Sequence, residues 1–196
     1  MTPTDHLNQN ANAAKLNQKY FAALAALAGD FANLANISGL KFLARAPQKF
    51  GYDAAVYFHA SSGVLVFVNR GTDGFKSFED WIEGGAAAIA AKFKGPLKAS
   101  VEFVLDTMKK LAAAKGLGGV KLADVWEVCC TGHSWGGALT EAQVALSQAI
   151  AAKRGQPFSQ PMSGTAFGSA GFADAIHAFA AAEQVAVEDD MHWLVN

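Results

Sequence analysis

One stretch, Cys129-Cys130-Thr131-Gly132-His133-Ser134-Trp135-Gly136-Gly137-Ala138-Leu139, constrains what this chain can fold into more than any other. It contains Gly132-x-Ser134-x-Gly136, the pattern of a nucleophile elbow, a sharp strand-to-helix turn that displays a serine. A turn that tight brings backbone segments too close for a Cβ at its flanking positions, and glycine also tolerates unusual backbone angles. The bland alternative is a glycine-rich turn whose serine does no more than cap the next helix.

Context separates the two, because an elbow needs a strand before it and a helix after it. Val125-Trp126-Glu127-Val128-Cys129-Cys130 is a short, β-favouring apolar run with the look of a buried strand. After the serine, Ala138, Leu139, Val144, Ala145, Leu146, Ala149 and Ile150 recur at helical spacing, and Lys153, Arg154 and Gly155 supply a stop signal. Both flanks favour the nucleophile.

The 196 residues suit a single domain with a sizeable core. With 52% apolar and 17% charged residues the chain is globular rather than disordered. Its net charge of -1 gives no electrostatic case for nucleic acid. The two cysteines are adjacent, which argues against a disulfide framework and for two buried thiols on a strand. Met1 to His6 carries no basic segment leading into an apolar core, so no signal peptide is visible. No apolar run approaches the ~18 residues that span a bilayer. The default expectation is a cytoplasmic protein, with export by a route without a leader left open.

Leu16, Tyr20, Phe21, Leu24, Leu27, Phe31 and Leu34 follow steps of three and four, which predicts a helix. Its other face lacks the lysines and arginines of a membrane-surface helix, so residues 1–50 are expected to be a helical segment packed on the domain. Ala54 to His59 and Val64 to Val68 flank a short turn containing Gly63 and predict an antiparallel hairpin. Arg70-Gly71-Thr72-Asp73-Gly74 follows directly. Over residues 73–83, Phe75, Phe78, Trp81 and Ile82 interleave with charges, as a mobile lid or an ordinary surface helix would. Gly95-Pro96 is expected to break the chain before a helix carrying Leu97, Val101, Val104, Leu105, Met108 and Leu111. Met162 to Phe167 and Met191 to Val195 read as strands, and Phe172 to Ala182 as a helix. The resulting fold class is α/β, a mostly parallel sheet with an antiparallel N-terminal hairpin and helices on both faces.

With those residues laid out, the chain resembles the class 3 lipases, the fungal-type family of the α/β-hydrolase fold. Val66-Phe67-Val68-Asn69-Arg70-Gly71-Thr72 is similar to that family's strand and Arg-Gly-Ser/Thr signature, and Asp80-Trp81 to the pair that follows it. Thr131 to Leu139 resembles the Gly-His-Ser-Leu-Gly-Gly-Ala elbow, and Thr165-Ala166-Phe167-Gly168-Ser169 the Thr-Phe-Gly-x-Pro segment. The resemblance makes Ser134 the nucleophile, and Thr72 and Trp135 the oxyanion-hole residues through their backbone N–H groups. It places a lid over residues 73–83, with transient contact to a lipid surface. Two departures stand out: Trp135 replaces the usual leucine, which makes the pocket wall beside the nucleophile bulkier, and Ala170 stands where a proline is common.

The rest of the triad is harder to place. A serine hydroxyl needs a base, and the base an orienting carboxylate. The family order is Ser, Asp, His, with the aspartate just past a strand like Met191 to Val195, and the sequence ends at Asn196. His133 adjoins the nucleophile and points away from it in such elbows, His177 lies in a helix, and His6 is near the terminus. Asp189, Asp190 and His192 are the weak candidates for acid and base. The expectation is therefore a fold completed at its C-terminus by a further segment or a second chain. Three functions follow: a serine carboxylester hydrolase on acyl esters or lipids, a thioesterase or peptidase on the same fold, or a non-catalytic, partner-dependent fragment. None needs a cofactor, and no His/Cys/Asp cluster has metal-ligand spacing.

Overall fold

Val64-Leu65-Val66-Phe67-Val68 has no polar alternation, and such a run is stable as a strand only when both of its faces are covered. In a computed structural model of the chain it is the centre of a five-stranded sheet, buried along its whole length. The structure describes residues 21, 24–25, 31–34, 39–71, 85–169 and 173–187, with the backbone alone for 32–33 and 85–92.

The strands are β1 (Leu40–Arg45), β2 (Ala54–His59), β3 (Val64–Asn69), β4 (Glu127–His133) and β5 (Met162–Phe167), in that spatial order. β1 pairs β2 and β2 pairs β3 antiparallel, whereas β3/β4 and β4/β5 are parallel. The described sheet is therefore mixed, not mostly parallel. Part of the difference lies in β1, which falls within residues 1–50 and forms a strand where a helical segment is expected. Gly39, at φ +88°, precedes this strand, which then runs extended along β2.

Three helices of 11 to 28 residues follow: α1 (Gly85–Ala112), α2 (Trp135–Lys153) and α3 (Ala173–Glu183). α1 passes through Gly95-Pro96 without ending there, contrary to the break that the dipeptide suggests. The proline removes one helical hydrogen bond, at roughly 3 kcal/mol in a helix interior. Phe93, Leu97, Val101, Val104, Met108 and Leu111 are all buried from the same helix. At about 1.5–3 kcal/mol for each large apolar side chain, that stripe outweighs the proline.

Alternate side chains of the strands enter two separate layers. Val56, Phe58, Leu65, Phe67, Val128 and Cys130 pack with α1, α2 and α3. Ala55, Tyr57, Val64, Val66, Val68 and Cys129 pack with Phe21, Leu24, Phe31 and Leu34 on the other side. Cys129 and Cys130, both buried and free, thus lie on opposite faces of β4. Among the described residues no helix is long and apolar enough to cross a membrane.

Candidate active site

β4 ends and α2 begins at Ser134, whose φ of 54° and ψ of -120° lie outside the regions open to most L-residues. These are the angles of the first central residue of a type II′ turn, a position dominated by glycine. Ser134 also stands at the N-cap of α2, yet its side chain makes no capping hydrogen bond. Its N–H donates to the Phe167 carbonyl at 2.8 Å, extending the β4/β5 ladder by one bond. Its carbonyl accepts from the N–H of Gly137 at 3.0 Å and of Ala138 at 3.3 Å. The main chain is thus fixed on both sides, and among the described residues no hydrogen bond commits the half-buried hydroxyl.

The flanking glycines are there for space. A Cβ on Gly132 would overlap the carbonyl of Gly136 and lie 2.9 Å from its Cα. A Cβ on Gly136 would overlap the carbonyl oxygen of Asn69 and come within 3.1 Å of the Arg70 carbonyl carbon. Neither glycine has a positive φ; the unusual backbone belongs to the serine between them. Such strain costs on the order of 1–3 kcal/mol. Ser134→Gly is accordingly expected to raise stability by about 1 kcal/mol, or roughly 2–4 °C in melting temperature. A thermal unfolding scan checks this, and an unchanged or lower midpoint would show that the backbone at 134 is relaxed.

The end of β3 is pressed against this turn. Asn69 pairs in register with Gly132, and a Cβ on Gly71 would lie 3.3 Å from the His133 carbonyl oxygen. Two anchors hold the β3 terminus. Asp53 accepts from the Arg70 N–H through its carbonyl at 3.0 Å and approaches the Arg70 guanidinium with its carboxylate at 3.4 Å. The same carboxylate takes a two-pronged bond from Arg45, at 2.9 and 2.7 Å. On the helix side, Asn69 is buried in a polar network with Tyr52, Thr140 and Gln143. Burial holds the Tyr52 phenol well above its ordinary range, so it serves as a neutral donor and acceptor.

Of the residues singled out from the sequence, Ser134 and Trp135 lie in described structure. The Trp135 ring, expected in a pocket wall, is buried in the helix-side core at 7% exposure, edge-on to Phe93 with centroids 4.6 Å apart. Its backbone is the first residue of α2, where the helix dipole presents its positive end. Thr72, the lid stretch 73–83, Asp189, Asp190, His192 and the strand expected over 191–195 lie outside the described residues. His133 is exposed, with its ring beside Gly168. His59 is at the opposite end of the sheet, paired across from Val64 and 2.7 Å from the Ser62 hydroxyl. Burial lowers its pKa. His177 is on the exposed side of α3. The structure thus brings Ser134 to the β3 terminus together with the backbone of His133, whose ring lies beside Gly168, while His59 and His177 lie elsewhere.

The network on Asn69 and one buried carboxyl escape a reading of the sequence. Glu141, on the second turn of α2, is 8% exposed. Burial raises its pKa, opposed by a hydrogen bond with Ser169. Among the described residues no group of three or more His, Cys, Asp or Glu is placed to hold a metal ion.

No family model and no curated protein matches the chain. Among solved structures it is similar to a native Rhizomucor miehei lipase propeptide complex, at 16% identity and a TM-score of 0.47, over 91% of this chain and 59% of that one. It is likewise similar to a fungal lipase–inhibitor complex, at 17% identity and a TM-score of 0.47, over 91% of this chain and 69% of the other. The chain spans about six tenths of the length of the first of these lipases.

Proposed function

We propose that the chain is a serine carboxylester hydrolase acting on acyl esters or lipids, with Ser134 as its nucleophile. One observation supports this above the rest: a serine with the backbone angles of a glycine, between two glycines packed too tightly for any Cβ, whose hydroxyl caps nothing. Strain of this kind persists only where surrounding structure enforces it, and it concentrates at active sites.

In the reaction the Ser134 oxygen bonds to the ester carbonyl carbon while a base takes its proton. The tetrahedral intermediate collapses, the alcohol leaves with a proton returned from that base, and water then hydrolyses the acyl-enzyme. The N–H groups of Trp135 and Thr72 receive the oxyanion. The first heads α2, and the second follows Gly71, which lies against the elbow. One such fixed donor is worth roughly 3–4 kcal/mol of barrier in comparable sites. His192 with Asp189 or Asp190 are the base and acid this chain itself offers, and residues 73–83 the lid that meets apolar acyl chains.

Turnover of p-nitrophenyl esters of increasing acyl length, by the chain and by Ser134→Ala, tests the proposal. Ester hydrolysis is expected to fall by roughly 10³-fold or more in the variant. Equal rates from both proteins would overturn it.

A further inference from the structure

We propose that Asn69 is a positioning residue for the Ser134 site, acting through Thr140, Gln143 and Tyr52; the inference rests on the reading of Ser134 as nucleophile. Asn69 is a fully buried amide at the end of an otherwise apolar strand, one residue before the Arg70-Gly71-Thr72 segment. Its Nδ2 donates to Thr140 Oγ1 at 3.0 Å and to Gln143 Oε1 at 2.7 Å. Its Oδ1 accepts from the Tyr52 hydroxyl at 3.1 Å. The Gln143 Nε2 donates in turn to the Tyr52 oxygen and to the Ser100 carbonyl, both at 3.2 Å. Asn69, Gln143 and Tyr52 form a closed ring in which both amides use both of their N–H donors. Thr140 carries the ring to the elbow, because its hydroxyl donates to the Gly136 carbonyl at 2.9 Å.

The consequence is geometric. Asn69 touches Gly136 twice, once through backbone packing that leaves no space for a Cβ and once through Thr140. Apolar packing would bury the same surface without direction; a satisfied amide ring allows one orientation of β3 against α2. That orientation fixes how Arg70 and Gly71 stand relative to the turn that carries Ser134. The core gains nothing here that leucine would not supply; the polar ring contributes register.

The test uses a fluorophosphonate probe and separates its saturation constant from its maximal inactivation rate at Ser134. Thr140→Val, a same-shape change that cuts the link to Gly136, is expected to lower the maximal rate about tenfold, and Asn69→Leu by up to about a hundredfold, with little change in the saturation constant. A triple variant, Tyr52→Phe/Asn69→Leu/Gln143→Met, replaces the ring with apolar groups and is expected to recover melting temperature while the rate stays low. Recovery of rate together with stability, or Thr140→Val within twofold of wild type, would overturn the inference. Failure of the nucleophile reading shows differently, as no adduct on Ser134 in the wild-type chain. Hydrogen exchange in Thr140→Val then decides alone: exchange of the segment 131–138 accelerated about tenfold more than that of β1 and β2 supports the clamp, and exchange accelerated there no more than in those strands refutes it.

Discussion

Replacing Gly136 by alanine is expected to cost about 3 kcal/mol of stability, a fall of roughly 6–12 °C in melting temperature for a chain of this size. The added methyl would overlap the carbonyl oxygen of Asn69 and crowd the carbonyl carbons of Asn69 and Arg70, at 3.0 and 3.1 Å. Those atoms cannot swing aside as a flexible side chain would. Asn69 is held by its amide ring and by pairing with β2 and β4, and Arg70 by Asp53. Relief therefore requires β3 and α2 to separate, which opens the core around Phe67 and Leu139. Gly155→Ala is the control. That glycine has φ +66°, and a Cβ added to it would meet nothing within 4 Å. Its substitution therefore costs only the left-handed backbone, about 1 kcal/mol. Thermal or urea unfolding of the two variants side by side separates crowding from conformation. Equal losses would show that β3 does not press on the elbow.

Much of the framework is legible from residue pattern. The apolar run before Ser134 and the spacing of Ala138, Leu139, Leu146 and Ile150 after it anticipate β4 and α2, and the run Val64 to Val68 anticipates β3. These segments are legible because burial alone dictates their composition. Where two local effects compete, pattern misleads. Pro96 reads as a stop, but the apolar stripe from Phe93 to Leu111 holds one helix across it. Leu40 to Arg45 lies in a segment dominated by helical spacing, and its strand state is set by pairing with β2, a contact that no local window contains.

The site divides in the same way. A serine between two glycines is visible as a motif, whereas its strained φ and the contacts of Gly132 and Gly136 arise only when β3 and α2 meet. Asn69 is a visible anomaly, an amide closing an apolar strand. Its partners are 17, 71 and 74 residues away in the chain, so its role is not readable locally. Thr140 and Gln143 have the composition of a helix's polar side and are in fact fully buried. Trp135 suggests bulk beside the nucleophile, but its ring turns into the core because Phe93 offers it an edge-on partner there.

The largest functional effect expected is all-or-none: covalent capture of one hydroxyl. A fluorophosphonate reports on the nucleophile directly, since the serine oxygen bonds to phosphorus, fluoride departs, and the hydroxyl proton passes to base. It needs no knowledge of acyl chain or head group. The buried hydroxyls make poor competitors: Ser100 donates to the Leu97 carbonyl, Thr131 to the Thr165 carbonyl, and Ser147, whose oxygen has no hydrogen-bond partner among the described residues, is fully buried and out of a probe's reach. The Ser134 hydroxyl has no such bond among the described residues, and its main chain is fixed by Phe167, Gly137 and Ala138. Mass mapping of the fluorophosphonate-treated chain, with Ser134→Ala alongside, is therefore the most direct measurement. A single adduct on the peptide containing Ser134, absent from the variant, is the predicted result; an unmodified wild-type chain, or an adduct that survives in Ser134→Ala, would contradict it.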